Sequence, residues 1–134
     1  MLVLCCLPEE MEANAHLLAA VAALPGPPQV EVVRSLADLG PRLQQPRHQG
    51  LLCLAVLPSP AHLAQLMSLE PLLRDIPLVV LLPDEDPATL AQAHRLRARY
   101  LTSLQRPEAP QMAAAVAARM MEKYDRPWEC QGNC

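Results

Sequence analysis

The feature that most limits what this chain can fold into is a set of short, unbroken apolar runs. Residues 51–57 and 78–82 contain no polar side chain except the thiol of Cys53. A strand with one solvated face alternates apolar and polar residues. A run without that alternation suits a strand covered on both faces, as in a parallel sheet. Residues 2–7, 30–33 and 100–104 add three more runs, and the one ending at Leu82 reaches back to Ile76. Five strands are therefore expected.

The segments between them have helical spacing. Met11, Ala15, Leu18, Val21 and Ala22 recur every three to four residues, until Pro25, Gly26, Pro27 and Pro28 stop the helix. Ser35 is expected to cap a second helix that turns Leu36, Leu39 and Leu43 inward. A third follows Pro58, Ser59 and Pro60, with Leu63, Leu66, Met67 and Leu69 on one side, and Pro71 breaks or kinks it. Asp86 as cap and Pro87 at the first position open a fourth, which carries Leu90, Ala93, Leu96 and Arg97. The fifth runs from about residue 108 to 124, with Met112, Val116, Ala117 and Met120 as its buried stripe.

Strand and helix thus alternate five times. Right-handed crossovers put helices on both faces of a parallel sheet. The expected architecture is α/β: a flavodoxin-like (βα)5 doubly wound five-stranded sheet, strand order 2-1-3-4-5. Residues 1–124 form one domain in this reading. Residues 125–134 show no periodicity and are expected to be a tail or linker.

Composition narrows the function classes. Of 134 residues, 51% are hydrophobic, and eleven basic against fourteen acidic residues leave a formal charge of −3. Such a chain has core enough for one domain and too little net charge for disorder. With one lysine, Lys123, it lacks the basic face that non-specific nucleic-acid binding needs. Tyr100, Tyr124 and Trp128 are its only aromatics, so stacking platforms for bases are missing. No apolar stretch approaches the length that spans a bilayer, and the opening run is too short for a signal sequence. Cys5, Cys6 and Cys53 sit within apolar runs as packed thiols, which points to a reducing, cytoplasmic setting. His16, His48, His62 and His94 are scattered, and Cys130 and Cys134 alone do not close a metal site. Neither metal nor cofactor is expected.

Three stretches, taken in order, resemble the receiver domain of two-component response regulators. Residues 8–18, opening Pro8-Glu9-Glu10, look like that family's acidic pair and first helix. Residues 76–82 look like its fourth strand, and residues 100–108 like its fifth strand and the turn into the last helix. The likeness covers residues 2–124. It implies a phosphoacceptor aspartate at the end of the third strand, but Ala55 stands there, with no acid within several residues. The family's hydroxyl position on the fourth strand falls at Leu82 and its lysine at Ser103. Only Glu9 and Glu10, and Tyr100 in the place of the switch aromatic, match by type.

Aspartyl phosphorylation needs a carboxylate nucleophile, a divalent cation and a fixed positive charge on the phosphoryl oxygens. Alanine and leucine supply none of these. The resemblance therefore implies a degenerate receiver, a pseudo-receiver that is no enzyme and signals through protein contacts. Its partner would be a kinase, an output domain or a second copy. Arg95, Arg97, Arg99 and Arg106 are the expected interaction face, around the fourth helix, fifth strand and fifth helix. Self-complementary pairing against Asp84, Glu85 and Asp86 would give a homodimer. Two alternatives stand beside it. One is a thiol enzyme or phosphocarrier using Cys5 or Cys6. The other is a small-ligand sensor whose crevice is lined by Leu7, Val56, Leu57 and Leu82.

Overall fold

The computed structural model describes residues 2–45 and 50–124. Five strands form one parallel sheet: β1 (Leu2–Cys6), β2 (Gln29–Val33), β3 (Leu51–Val56), β4 (Leu78–Leu82) and β5 (Tyr100–Ser103). Their order across the sheet is β2-β1-β3-β4-β5. Six helices connect and follow them: α1 (Glu12–Ala22), α2 (Leu36–Gln44), α3 (Pro60–Met67), α4 (Glu70–Leu73), α5 (Pro87–His94) and α6 (Ala109–Tyr124). This is the flavodoxin-like doubly wound architecture expected from the apolar runs.

Period-two alternation divides each central strand between two cores. Leu4, Cys6, Cys53, Ala55, Val80 and Leu82 face α2, α3, α4 and α5, joined there by Leu39, Leu63 and Leu66. Val3, Cys5, Leu52, Leu54, Val79 and Leu81 face α1 and α6, with Leu17, Ala113 and Ala117. Every residue of β1, β3 and β4 is buried, which explains why these segments carry no polar residue on either face. β2 is an edge strand, and its Val30 is 37% exposed.

Local chemistry sets the helix ends. Ser35 caps α2 as expected: its Oγ accepts from the Asp38 N–H at 3.1 Å. Gly40 lets α2 approach Leu69 closely, since an added Cβ there would lie 3.3 Å from Leu69 Cδ2. The expected third helix is two. Backbone at Ser68 and Leu69 turns between α3 and α4, and Pro71 lies in the first turn of α4. Proline needs no N–H there, so it starts the second helix and does not kink the first.

Two helical stripes differ from expectation. In α1 the buried residues are Asn14, Leu17 and Val21, while Ala15 and Ala22 are exposed. In α6 they are Ala109, Pro110, Ala113, Ala114, Ala117 and Met121, while Met112 is 45% exposed. In α6 small alanines let the helix lie close on a sheet of leucine and valine, so bulk does not mark its inward face. In α1 the inward row is Asn14, Leu17 and Val21, spaced three and four residues apart.

Candidate functional site

In an open α/β sheet, ligands bind beyond the carboxyl ends of the strands, where the strand order reverses. Here that point lies between β1 and β3. Ala55 is the next-to-last residue of β3, paired with Cys6 on one side and Val80 on the other. It is fully buried, as are Val56 and Leu57 after it and Leu82 at the end of β4. The ladder continues past the strand ends: Leu7 N–H donates to the Val33 carbonyl and Leu57 N–H to the Leu81 carbonyl, both at 2.9 Å. The floor of the crevice is closed hydrocarbon. Leu7, Val56, Leu57 and Leu82 belong to the packed cores.

Ser103 ends β5 opposite Leu82 and is buried. Its Oγ accepts from the Gln105 N–H at 3.0 Å, a local turn that fixes the start of the β5–α6 loop. A short neutral hydroxyl held this way has neither the reach nor the charge of a lysine.

The two acids after β1 do not converge. The Glu10 carboxylate faces Arg34 at 3.6 Å, with both side chains exposed. The Glu9 carboxylate lies 3.7 Å from His62 Nε2 on α3, across the mouth of the crevice. The Glu9 carbonyl accepts from Asn14 Nδ2 at 2.6 Å, which ties this loop to the first turn of α1. On the other ring nitrogen of His62, Ser59 Oγ stands 2.8 Å from Nδ1. Glu9, His62 and Ser59 thus form a chain of polar contacts bridging the β1–α1 and β3–α3 loops. Sequence reasoning placed His62 among scattered surface histidines. A serine three residues before a histidine at a helix start after β3, with an acid after β1, was the available signal. Among the described residues, no three His, Cys, Asp or Glu side chains are grouped to hold a metal ion.

Cys5, Cys6 and Cys53 are free, buried thiols. Cys5 and Cys6 have no exposed surface, and burial pushes each thiol up to about 12, with Cys6 adding to the effect on Cys5. Burial raises Cys53 further. A thiol nucleophile needs a thiolate and access, and these have neither. Cys130, Cys134, Trp128 and His48 lie outside the described residues.

The four arginines of the expected interaction face are not brought together. The Arg99 N–H donates to the Leu78 carbonyl, so Arg95, Arg97 and Arg99 sit at the amino ends of β4 and β5. Arg106 follows β5 at the opposite end, where its Nε donates to Glu85 Oε2 at 2.9 Å. Between these ends, a groove of about 350 Å³ runs beside β5. It is lined by Leu82, Leu90, Tyr100, Leu101 and Met112, with Glu85 and Arg106 at its rim. Tyr100 is half-buried at the start of β5, packed on the α6 side and touching this groove.

No family model matches the chain, and no curated protein matches it in sequence. Among solved structures it is similar to the phosphorylated cyanobacterial phytochrome response regulator RcpA. The TM-score is 0.63 over 92% of this chain and 94% of that one, at 18% identity. The likeness is one of fold. It places the chain's architecture beside that of a response regulator. Among the described residues, no helix is long and apolar enough to cross a membrane.

Proposed function

We propose that this chain is a signal-transduction module of the receiver type, a pseudo-receiver that works by protein–protein contact without aspartyl phosphorylation. The observation that carries this reading is the hydrocarbon floor of the crevice: Ala55 and Leu82 are buried and apolar, and Ser103 is committed to a turn. A phosphoryl group there would meet no nucleophilic carboxylate and no fixed cation. Incubation with Mg²⁺ and acetyl phosphate, followed by intact mass, tests it. No phosphoryl adduct is expected. A stoichiometric, base-labile phosphoryl adduct on a carboxylate overturns it.

The contact face in this reading is α5, β5 and the start of α6, and the partner it fits is a second copy. The exposed side of α5 is small (Ala88, Ala91), with unpaired charges of opposite sign at its two ends. Asp84 and Asp86 lie before it and Arg95, Arg97 and Arg99 after it; among the described residues none of the five is in an ion pair. Antiparallel pairing of α5 across a two-fold axis sets the acidic end of each copy against the basic end of the other. Sedimentation should show a dimer that dissociates with added salt and in an Arg95→Glu, Arg97→Glu variant. A monomer at low salt and high concentration refutes the dimer and leaves the pseudo-receiver reading to its own test.

A further inference from the structure

The reading above makes no use of the Glu9–His62–Ser59 chain. Ser59 is the N-cap of α3, an eight-residue helix, and a serine in that place ordinarily accepts from an N–H of the first turn. This one makes no such bond. Its hydroxyl is turned to the imidazole, 2.8 Å from Nδ1. The carboxylate of Glu9 faces the other nitrogen, Nε2, at 3.7 Å. In the tautomer that carries its proton on Nε2, the side on which Glu9 lies, Nδ1 has a lone pair to accept from the Ser59 O–H.

A hydroxyl with a base at hydrogen-bond distance and a carboxylate behind the base is the arrangement that activates an otherwise weak nucleophile. The surroundings favour the same chemistry. The His62 side chain is 18% exposed, and Ser59 is likewise partly buried. The loop carrying Glu9 is pinned by Asn14. Of the first-turn positions of α3, Pro60 has no N–H and those of His62 and Leu63 donate to the Ser59 carbonyl, which leaves the Ala61 N–H to meet negative charge developing on an attacked carbonyl.

We propose that Ser59 is a nucleophilic acceptor site for small acyl electrophiles, activated by His62 and with Glu9 as the positioning residue. In the step, Ser59 Oγ forms a bond to the acyl carbon while its proton passes to His62 Nδ1. The bond from the acyl carbon to the leaving group breaks, and the leaving group takes the proton from His62. The product is an ester on Ser59, with no net change of oxidation state. The inference is independent of the pseudo-receiver reading, because a serine ester and a carboxyl phosphate differ in mass and in position.

The test uses p-nitrophenyl acetate with the full chain, monitored by nitrophenolate release and by peptide mass. One acetyl group is expected on the peptide carrying Ser59. Ser59→Ala should abolish it, and His62→Gln should slow it at least about a hundredfold, the usual scale of general-base assistance. Glu9→Gln should slow it less, and Glu9→Asp should recover part of the loss. Thermal melts of each variant close to the parent establish that folding is not the cause. Two results overturn the proposal: acetyl groups spread over Lys123 and other amines with Ser59 unmodified, or a His62→Gln chain that acetylates Ser59 at the parent rate.

Discussion

Replacing Ala55 by aspartate puts the missing carboxylate at the expected position, and the structure says what this costs. Ala55 is fully buried between Cys6 and Val80 in the middle of the sheet. No cation lies on the strands beside it, so the new charge would be unpaired as well as desolvated. Burial without a partner raises a carboxyl by about 3–5 units, from about 3.9 in the unfolded chain. The folded state then binds the proton more tightly than the unfolded state. The penalty is therefore absent below about pH 4 and grows by about 1.4 kcal/mol per unit as pH rises toward the folded-state value. By pH 7 it reaches about 4 kcal/mol, a large part of the 5–15 kcal/mol that holds a typical domain. Ala55→Asn carries a similar steric load and an unpaired amide but does not ionise, so the difference between the two variants isolates the charge. Urea unfolding followed by circular dichroism, from about pH 4 to pH 8, should give curves that diverge with pH. Coincident stabilities across that range would refute the reasoning, because they would mean that the crevice already accommodates a charge.

Ser35→Ala should cost about 1 kcal/mol in urea unfolding, because it removes a formed cap bond, whereas Ser59→Ala should cost less, having no cap bond to lose. The thiols of Cys5, Cys6 and Cys53 should be inert to Ellman's reagent in the native chain and react only on unfolding; fast native labelling of any of them would contradict their burial. The Glu31 carboxyl is held below the usual glutamate range by hydrogen bonds from Arg42. Its contribution is therefore present above about pH 4.3 and is lost as pH falls through the depressed folded-state value. Glu31→Gln should cost no more than about 1 kcal/mol at pH 7 after solvent screening, and nothing in acid; an equal loss at both pH values would show that the ion pair is not its source.

The strands were legible because burial on both faces leaves a mark that needs no alignment: residues 51–57 and 78–82 have no polar position to spare. The helix junctions at Ser35 and Pro87 follow from the same kind of local chemistry, whereas the strand order comes from the fold class that alternating strands and helices imply and not from periodicity. What stayed hidden depends on distances between segments. Met112 looks like core by size, but the alanines beside it let α6 lie closer to the sheet, and Met112 is left outside. The four arginines look like one patch along the chain, yet α5 spans the sheet from carboxyl to amino end and parts Arg106 from the other three. The contact between His62 and Glu9 joins positions 53 residues apart, and no periodicity within either segment reports it.

The apolar floor and the polar rim of the crevice are linked by strand geometry. Side chains alternate between the two cores right up to the strand ends, with Cys6, Ala55 and Leu82 on one side and Leu7, Val56 and Leu81 on the other. A carboxylate placed among them must therefore displace core from one face or the other. The loops above are free of that constraint, and among the described residues they carry the polar contacts of this region: the ion pairs of Glu10 with Arg34 and Glu85 with Arg106, and the approach of Glu9 to His62. Each joins different loops or helix starts, so a change in one charge alters how two segments sit together without touching the core below. A chain built this way can change its surface by altering loop contacts, whereas a charge on the sheet itself would be opposed by the stability of the fold.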